Sequence, residues 1–197
     1  MFFNTDIKTL YLSPLCKPIN RSKFFHKIFI TFKMDEREYT LEKISYSKKE
    51  DCRIIESVLN GWFQNPKILN LVSPSLNYPF KFKDWVSKNY FERSKPIISI
   101  VIKRKNWIVG HISYRIEKNK IHLFHLIIDE KFRRLGLANL LIDKVERDCF
   151  LNQKDYITLN VLKKNKEALS LYKKLGYVIL KNKNSKTIIM KKNCLQL

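Results

Sequence analysis

Small residues gather at one turn of a chain that is otherwise almost free of them. Four glycines and two alanines occur in 197 residues, and Gly136 and Ala138 stand two positions apart within FRRLGLANLL (132–141). A strand is expected before this turn and a helix after it. The first turn of a helix carries unpaired backbone N–H groups and the positive end of the helix dipole, so phosphate oxygens bind there when side chains are absent. Arg133 and Arg134 add charged, fork-shaped donors. The turn therefore predicts a pyrophosphate-binding site.

Two other phosphate-binding loops do not fit this turn. The dinucleotide pattern GxGxxG fails because one glycine is present, an arginine leads, and the preceding strands are linked by hairpins rather than by helices. A Walker loop is excluded because the sequence contains no GK[ST]. A tightly packed helix start that binds no ligand remains the alternative, since the pattern RxxGxA is not specific by itself.

A second cluster of small residues lies at strand-then-helix spacing further along the chain. It contains Ala168 and Gly176. Together, RRLGLA (133–138) and NKEALSLYKKLGY (165–177) resemble, in order and separation, the acetyl-CoA motifs of the GNAT superfamily of N-acetyltransferases. The stretch WIVGHISY (107–114) resembles the third strand of that family.

The resemblance covers about residues 34–192 and implies a GNAT fold that uses acetyl-CoA as co-substrate and needs no metal. In this family the strand before the glycine turn bends outward, and its unpaired backbone groups bind the pantetheine arm and the thioester carbonyl. Donors so placed stabilise a developing oxyanion by ~3–4 kcal/mol. The implied acetyl-CoA-binding residues are Leu126, Ile127 and Ile128 on that strand, Arg133, Arg134, Leu135, Gly136, Leu137, Ala138 and Asn139 at the turn, and Asn165 at the start of the next helix.

The implied reaction is direct transfer of an acetyl group to a primary amine within a ternary complex. An alkyl ammonium with a pKa near ~10.4 must lose its proton before it attacks, and the departing thiolate gains from a proton donor. Tyr172 matches the tyrosine acid of the family, with a purely structural aromatic as the alternative.

The residue that would act as base is less defined. The sequence loosely resembles the ribosomal-protein alanine N-acetyltransferases, but Asn160 stands where they place a glutamate, and it cannot accept a proton at neutral pH. Other members place the base on the fourth strand, which corresponds to His122, with an ordinary pKa near ~6.5. A solvent-facing strand residue is the alternative for His122, and His111, Glu117 or water are the other candidates for the base.

The acceptor implied by the resemblance is a protein N-terminus, a lysine or a small amine, and a ribosomal or other protein is among the expected substrates. Its site is expected between 58–92, which is rich in aromatic residues, and the final hairpin. Packing against the sheet is the alternative use of those rings.

The formal net charge of +21 is compatible with a polyanionic partner. A coding bias toward Lys, Asn and Ile produces the same composition, so nucleic acid is not expected as the main partner. A CoA-binding or basic RNA-binding protein with weak or no catalysis is the alternative function. No run of ~18 apolar residues occurs, so no membrane partner is expected.

Periodicity predicts an α/β fold with a mixed, mostly antiparallel sheet of about seven strands. A strand–helix–strand unit after a meander predicts a parallel pair formed by the fourth and fifth strands, with helices on both faces. Ser47 is expected to cap the first helix, whose apolar side includes Ile54. The expected strands are 38–45, 96–104, 107–117, 121–129, 156–162, 177–182 and 186–192, and the expected helices are 51–63, 82–93, 135–151 and 166–175, with a loop that includes one helical turn at 64–80.

The chain is expected to divide into a basic extension and one domain. Residues 1–33 form either a poorly ordered tail, a segment before a true start at Met34, or a targeting segment. Residues 34–197 form the acetyltransferase domain. The four cysteines contain no CxxC pair, so reduced thiols and a cytoplasmic location are expected.

Overall fold

The computed structural model describes residues 38–91 and 96–194. The segment 1–33, for which the sequence predicts a basic extension, lies outside the described residues. The elements in chain order are β1 (Tyr39–Ile44), α1 (Lys49–Trp62), α2 (Pro66–Val72), α3 (Phe82–Asn89), β2 (Ile97–Arg104), β3 (Trp107–Ile116), β4 (Lys120–Ile128), α4 (Leu137–Leu151), β5 (Tyr156–Leu162), α5 (Lys166–Lys174), β6 (Val178–Asn182) and β7 (Thr187–Asn193), with a short 3-10 turn at Glu130–Phe132.

The seven strands form one sheet in the order β1-β2-β3-β4-β5-β7-β6. The pair β4–β5 is parallel, and every other neighbouring pair is antiparallel. This arrangement confirms the predicted mixed α/β fold. The parallel pair arises because α4 connects two strands that lie side by side, as a crossover connection requires.

Helices cover both faces of the sheet. Val101 on β2 packs with the buried residues of α1, α2 and α3, among them Leu59 and Trp85. The opposite face meets α4, because the Tyr114 hydroxyl on β3 donates a hydrogen bond to Asp148 on that helix. Alternation along β2 and β3 therefore separates two apolar layers.

Gly110 allows β3 to lie close to both of its neighbours. A Cβ at this position would lie 2.6 Å from Cγ2 of Ile102 on β2 and 2.7 Å from Cδ1 of Ile128 on β4. Both distances are far shorter than carbon–carbon contact allows. The glycine is thus needed for packing at the end of β4, where the predicted site begins.

The region before β2 differs from the prediction in four respects. The helix expected over 82–93 ends at Asn89. Residues 66–72 form a helix where a loop with one helical turn was expected, because Asn65 caps it through a bond from the Lys67 N–H at 2.8 Å. Lys48, not Ser47, occupies the N-cap of α1, and it forms no side-chain cap. Ile54 is 47% exposed, so it lies outside the buried face of α1.

The cysteines also correct an expectation. A disulfide joins Cys149 at the end of α4 to Cys194 after β7, with their Cα atoms 6.1 Å apart, whereas separate reduced thiols were expected. The two residues are 45 positions apart in sequence, and only the packing of α4 against β5 and β7 brings them together. Cys52 is a free thiol. The cytoplasmic location stays a prediction.

No helix in the part of the chain that the structure describes is both long enough and apolar enough to span a bilayer. The same residues contain no cluster of three or more metal-ligating side chains.

Candidate active site

The fourth and fifth strands separate midway along the sheet. β4 and β5 pair over four residues each, ending at Leu123 with Leu159. Beyond this point β4 still pairs with β3 and β5 still pairs with β7, but no pairing joins 124–128 to 160–162 within the described chain. A gap lined by backbone groups opens here. The three strand residues that the resemblance assigns to acetyl-CoA lie along it: Leu126, Ile127 and Ile128.

A β-bulge bends β4 where the gap begins. His111 pairs with Ile127 and Ser113 pairs with Phe124, so two residues of β4 lie opposite a single residue of β3. One of the two, His125, has φ of +53°, in the left-handed region that side-chain-bearing residues rarely adopt. Bulges of this kind bend a strand and increase its twist. The bulge therefore accounts for the departure of β4 from β5.

Polar side chains behind the sheet hold the bulge in place. Nδ1 of His125 lies 2.9 Å from the Tyr90 hydroxyl, which lies 2.9 Å from Oγ of Ser113. The carbonyl oxygen of His125 accepts a hydrogen bond of 3.1 Å from Nδ1 of His111. The Trp85 ring stacks on the His125 ring at 4.0 Å. These contacts offset the ~1–3 kcal/mol cost of an unfavourable backbone conformation.

His111 extends this cluster toward β1. Its Nε2 accepts a hydrogen bond of 3.1 Å from the Tyr46 hydroxyl, which in turn accepts one of 3.0 Å from Nε1 of Trp85. Burial lowers the pKa of His111 to about 4, against the opposing effect of its bond to the His125 carbonyl. Burial also lowers the pKa of His125. Both rings are therefore neutral at physiological pH.

The turn from β4 into α4 leaves a row of backbone N–H groups open. Gly136 is the N-cap of α4 with φ of +77°, and Arg134 has φ of +64°. The N–H groups of Asn139 and Leu140 donate to the Gly136 carbonyl, at 2.9 and 3.3 Å. Within the described residues, the five N–H groups of 134–138 donate to no backbone carbonyl. They are available to an anion.

Side chains around this turn are held from two sides. Nε of Arg133 donates to the Ile128 carbonyl at 3.3 Å, so its guanidinium folds over the end of β4. Nε1 of Trp62 on α1 donates to Oδ2 of Asp129 at 3.1 Å. Leu137 is buried, so it contributes only its backbone to the turn surface. Helix α1 is thus tied to Asp129, the residue that follows β4.

His122 lies at the closed end of the gap, partnered by side chains of β5. Its Nδ1 lies 3.0 Å from Oγ1 of Thr158, and its Nε2 lies 3.3 Å from Nδ2 of Asn160. Burial lowers the pKa of His122 to about 4; Glu117 opposes this shift, and nearby positive charges, among them Lys183, add to it. The expectation of an ordinary pKa is therefore corrected, whereas the role of His122 stays a prediction.

Tyr172 lies on α5 with its ring buried against Tyr177, the ring centroids being 5.6 Å apart. Burial raises the pKa of the Tyr172 phenol, so it remains protonated at neutral pH. Lys192 lies over the Tyr177 ring and pairs with Glu146 of α4 at 2.6 Å, which places α4 and α5 on the same side of the sheet.

Asn165 is the N-cap of α5. Its Oδ1 accepts a hydrogen bond of 3.2 Å from the Ala168 N–H. The side chain therefore has a structural partner, and its assignment to acetyl-CoA stays a prediction.

Aromatic residues between 58 and 92 pack mainly against the sheet, as the alternative interpretation had it. Phe63 and Trp85 are buried in the core with Leu59. Tyr78 is 53% exposed, and its hydroxyl donates to the Gln64 carbonyl at 3.3 Å.

The donor set of this region fits coenzyme A. A diphosphate needs clustered N–H donors and positive charge, which 134–138, Arg133 and Arg134 supply. An amide-bearing arm needs unpaired strand edges, which the gap supplies. Coenzyme A fits this region because backbone groups of the turn and of the gap are unpaired, and this fit does not require a metal.

Residues 65–177 match the model of the acetyltransferase (GNAT) family. N-alpha-acetyltransferase 30 from Homo sapiens is 29% identical over 125 residues, which are 58% of this chain and 32% of the relative, so the chain spans about a third of that protein. The N-alpha-acetyltransferase of Sulfurisphaera tokodaii is 28% identical over 152 residues, which are 70% of this chain and 86% of the relative.

Solved structures agree on the fold. The spermidine N-acetyltransferase from Vibrio cholerae in complex with CoA and spermine has a TM-score of 0.61 at 16% identity, covering 80% of this chain and 96% of that chain. The family model spans more than half of the sequence and includes the turn at Gly136, the gap and Tyr172. The chain therefore belongs to the GNAT family of acetyltransferases.

Proposed function

We propose that this chain transfers an acetyl group from acetyl-CoA to a primary amine by direct attack in a ternary complex, and that the amine is the N-terminus of a protein. The gap between β4 and β5, opening beside the unpaired N–H groups of 134–138, carries the proposal. The curated relatives named above, both N-alpha-acetyltransferases, support this acceptor. A small amine is the alternative, favoured by the name of the Vibrio cholerae enzyme.

Main-chain groups and two arginines do the binding in this proposal. Residues 133–139 hold the diphosphate through backbone N–H groups and through the guanidinium groups of Arg133 and Arg134. Leu126, Ile127 and Ile128 hold the pantetheine arm along the open side of β4. Once bound, acetyl-CoA supplies an activated thioester, and N–H groups of the gap face its carbonyl oxygen.

Tyr172 donates the proton that the departing thiolate needs. An ordinary thiol has a pKa near ~8.5, so its anion leaves more readily when a donor stands beside it. Because burial keeps the pKa of Tyr172 above its usual value, the phenol carries that proton throughout the neutral range. Its hydroxyl has no hydrogen-bond partner within the described residues, which leaves the donor free.

His122 orients the acceptor amine rather than removing its proton. With a pKa of about 4, its ring is neutral but too weak a base to deprotonate an ammonium at neutral pH. Its Nε2 is bonded to the Asn160 amide, and an entering amine exchanges with that amide as the donor. Water takes the ammonium proton before the amine enters, and the proton that the nitrogen loses as the amide forms restores the Tyr172 phenol.

Acetyl transfer from labelled acetyl-CoA to matched acceptors tests the function. Peptides with a free N-terminus, the same peptides blocked at the N-terminus but containing lysine, and polyamines are compared. The proposal predicts label on the free N-terminus alone. If the label is found only on lysine or only on polyamines, the proposed acceptor is wrong and that amine takes its place. If none of the acceptors is labelled, the proposed activity is refuted.

Gly136→Glu tests the binding site independently of the acceptor. A carboxylate at the N-cap occupies the diphosphate position and repels the diphosphate, so calorimetry is expected to detect no binding of CoA. Gly176→Glu is the matched control, because Gly176 also has a positive φ, of +85°, and an added Cβ there would meet only Lys192, at 3.9 Å. Retained CoA affinity in Gly136→Glu would contradict the site.

A thermal melt distinguishes the proposed function from the RNA-binding alternative. Acetyl-CoA at about 100 times its Kd raises the free energy of unfolding by about 2.7 kcal/mol. No shift with acetyl-CoA, together with salt-sensitive binding of RNA, would favour the RNA-binding alternative.

A further inference from the structure

The edge strand β6 exposes three consecutive aliphatic side chains. Val178, Ile179 and Leu180 of β6 are 63%, 54% and 51% exposed. The inner side of β6 pairs with β7, and no strand in the described ranges pairs with its outer side. An open strand edge with exposed aliphatic residues is a template for another extended chain.

Lysines are concentrated in the part of the chain that contains this strand. Residues 163–194 contain ten lysines and one acidic residue, whereas 38–162 contain 22 basic and 14 acidic residues. A coding bias that acts evenly along the chain does not explain this concentration. Five exposed lysines lie in β6 or within five residues of it in sequence, and they have no ion-pair partner among the residues described here: Lys173, Lys174, Lys181, Lys183 and Lys186.

The combination of an apolar edge and positive charge selects the kind of partner. A second copy of the chain would bring the same lysines against each other. Residues 1–37, with seven basic and three acidic residues, do not have the composition of an acidic partner. A phosphate backbone satisfies the lysines but leaves Val178, Ile179 and Leu180 uncovered. An extended acidic peptide satisfies the lysines, the aliphatic residues and the free strand edge together.

We propose that β6 and its flanking lysines form a docking edge for an acidic, extended segment of a partner protein, which adds to the sheet as a strand. The backbone of the segment pairs with the outer side of β6. Its carboxylates meet the lysines, and its aliphatic side chains cover the aliphatic residues of β6. This edge does not depend on the proposed catalytic activity.

Fluorescence anisotropy with the full-length chain tests the docking edge. The probe is a labelled peptide of about twelve residues with alternating Glu and Val, compared with one of alternating Lys and Val. The acidic probe is expected to bind at about 50 mM salt and to weaken as salt is raised, whereas the basic probe does not bind. Equal binding of the two probes, or no binding of the acidic one, would overturn the proposal.

Charge-matched variants locate the edge. The triple variant K181E/K183E/K186E is expected to weaken the acidic probe by about tenfold or more. The triple variant K43E/K48E/K49E changes net charge equally on other exposed positions and is expected to bind as the parent does. Equal loss in both variants would show that net charge alone is responsible, which contradicts a specific edge.

The apolar component has its own test. Ile179→Ser is expected to weaken the acidic probe even at high salt, where ion pairs are screened. Poly(U) of about 20 nucleotides is the competing probe. Tighter binding of poly(U) than of the peptide, unaffected by Ile179→Ser, would overturn the proposal in favour of nucleic acid.

Discussion

The buried histidine His111 predicts how the stability of the protein depends on pH. Its ring accepts a hydrogen bond from Tyr46 and donates one to the His125 carbonyl, and burial favours the neutral form over the opposing effect of the second bond. Its pKa is about 4 in the folded chain and ~6.5 when unfolded. The unfolded chain therefore binds a proton at a higher pH than the folded chain does. Stability is fully present above about pH 6.5 and is lost progressively as the pH falls toward 4.

The magnitude follows from these two pKa values. From about pH 8 to about pH 5, protonation of the unfolded state costs about 2 kcal/mol of stability for this one ring. His111→Asn retains a donor for the His125 carbonyl but removes the titratable ring. The variant is expected to be less stable than the parent at about pH 8, because Tyr46 loses its acceptor, yet to lose about 2 kcal/mol less on acidification.

Urea unfolding followed by circular dichroism at a series of pH values measures both quantities. Tyr46→Phe is the control, since it removes a partner of the ring but leaves the ring itself. It should lower stability at every pH while its acid dependence matches that of the parent. Parallel acid profiles for His111→Asn and the parent would refute the reasoning.

Three further substitutions test other parts of the structure. Tyr172→Phe is expected to lower kcat about 100-fold with unchanged CoA affinity, because the proton donor is lost but the buried ring remains; kinetics and calorimetry check this, and an unchanged kcat would remove it from the mechanism. Gly110→Ala is expected to lower the free energy of unfolding by ~1–3 kcal/mol, because the new methyl meets Ile102 and Ile128 at 2.6 and 2.7 Å; an unchanged Tm would contradict this. Cys149→Ser is expected to lose about 4 kcal/mol, since a loop of 45 residues is no longer closed, and an equal response of variant and parent to dithiothreitol would argue against the disulfide.

Local sequence patterns predicted most of the sheet. The strand Tyr156–Leu162 and the helix Lys166–Lys174 lie where periodicity placed them, and Gly176 after that helix has φ of +85° as a left-handed cap requires. The helix Pro66–Val72 was missed because seven residues are too few to show a helical period between prolines.

The site is predictable only where its signal is local. Gly136 and the arginines beside it stand together in the sequence, and the open N–H groups are found there. The cluster behind the bulge joins Tyr46, Tyr90 and His125 across more than thirty residues at each step, so spacing cannot reveal it. A signal was nevertheless present: His111 and Ser113 alternate on one face of a mostly apolar strand, and a buried polar pair requires partners.

The gap between β4 and β5 leaves backbone groups of both strands without a neighbouring strand on that side. Backbone groups of 124–128 face a position where one more hydrogen-bonded neighbour belongs. In the proposed complex, the amide-bearing arm of acetyl-CoA acts as that neighbour, so its binding stabilises the folded chain. Because the ligand binds the folded chain only, the free energy of unfolding is expected to rise with the concentration of acetyl-CoA.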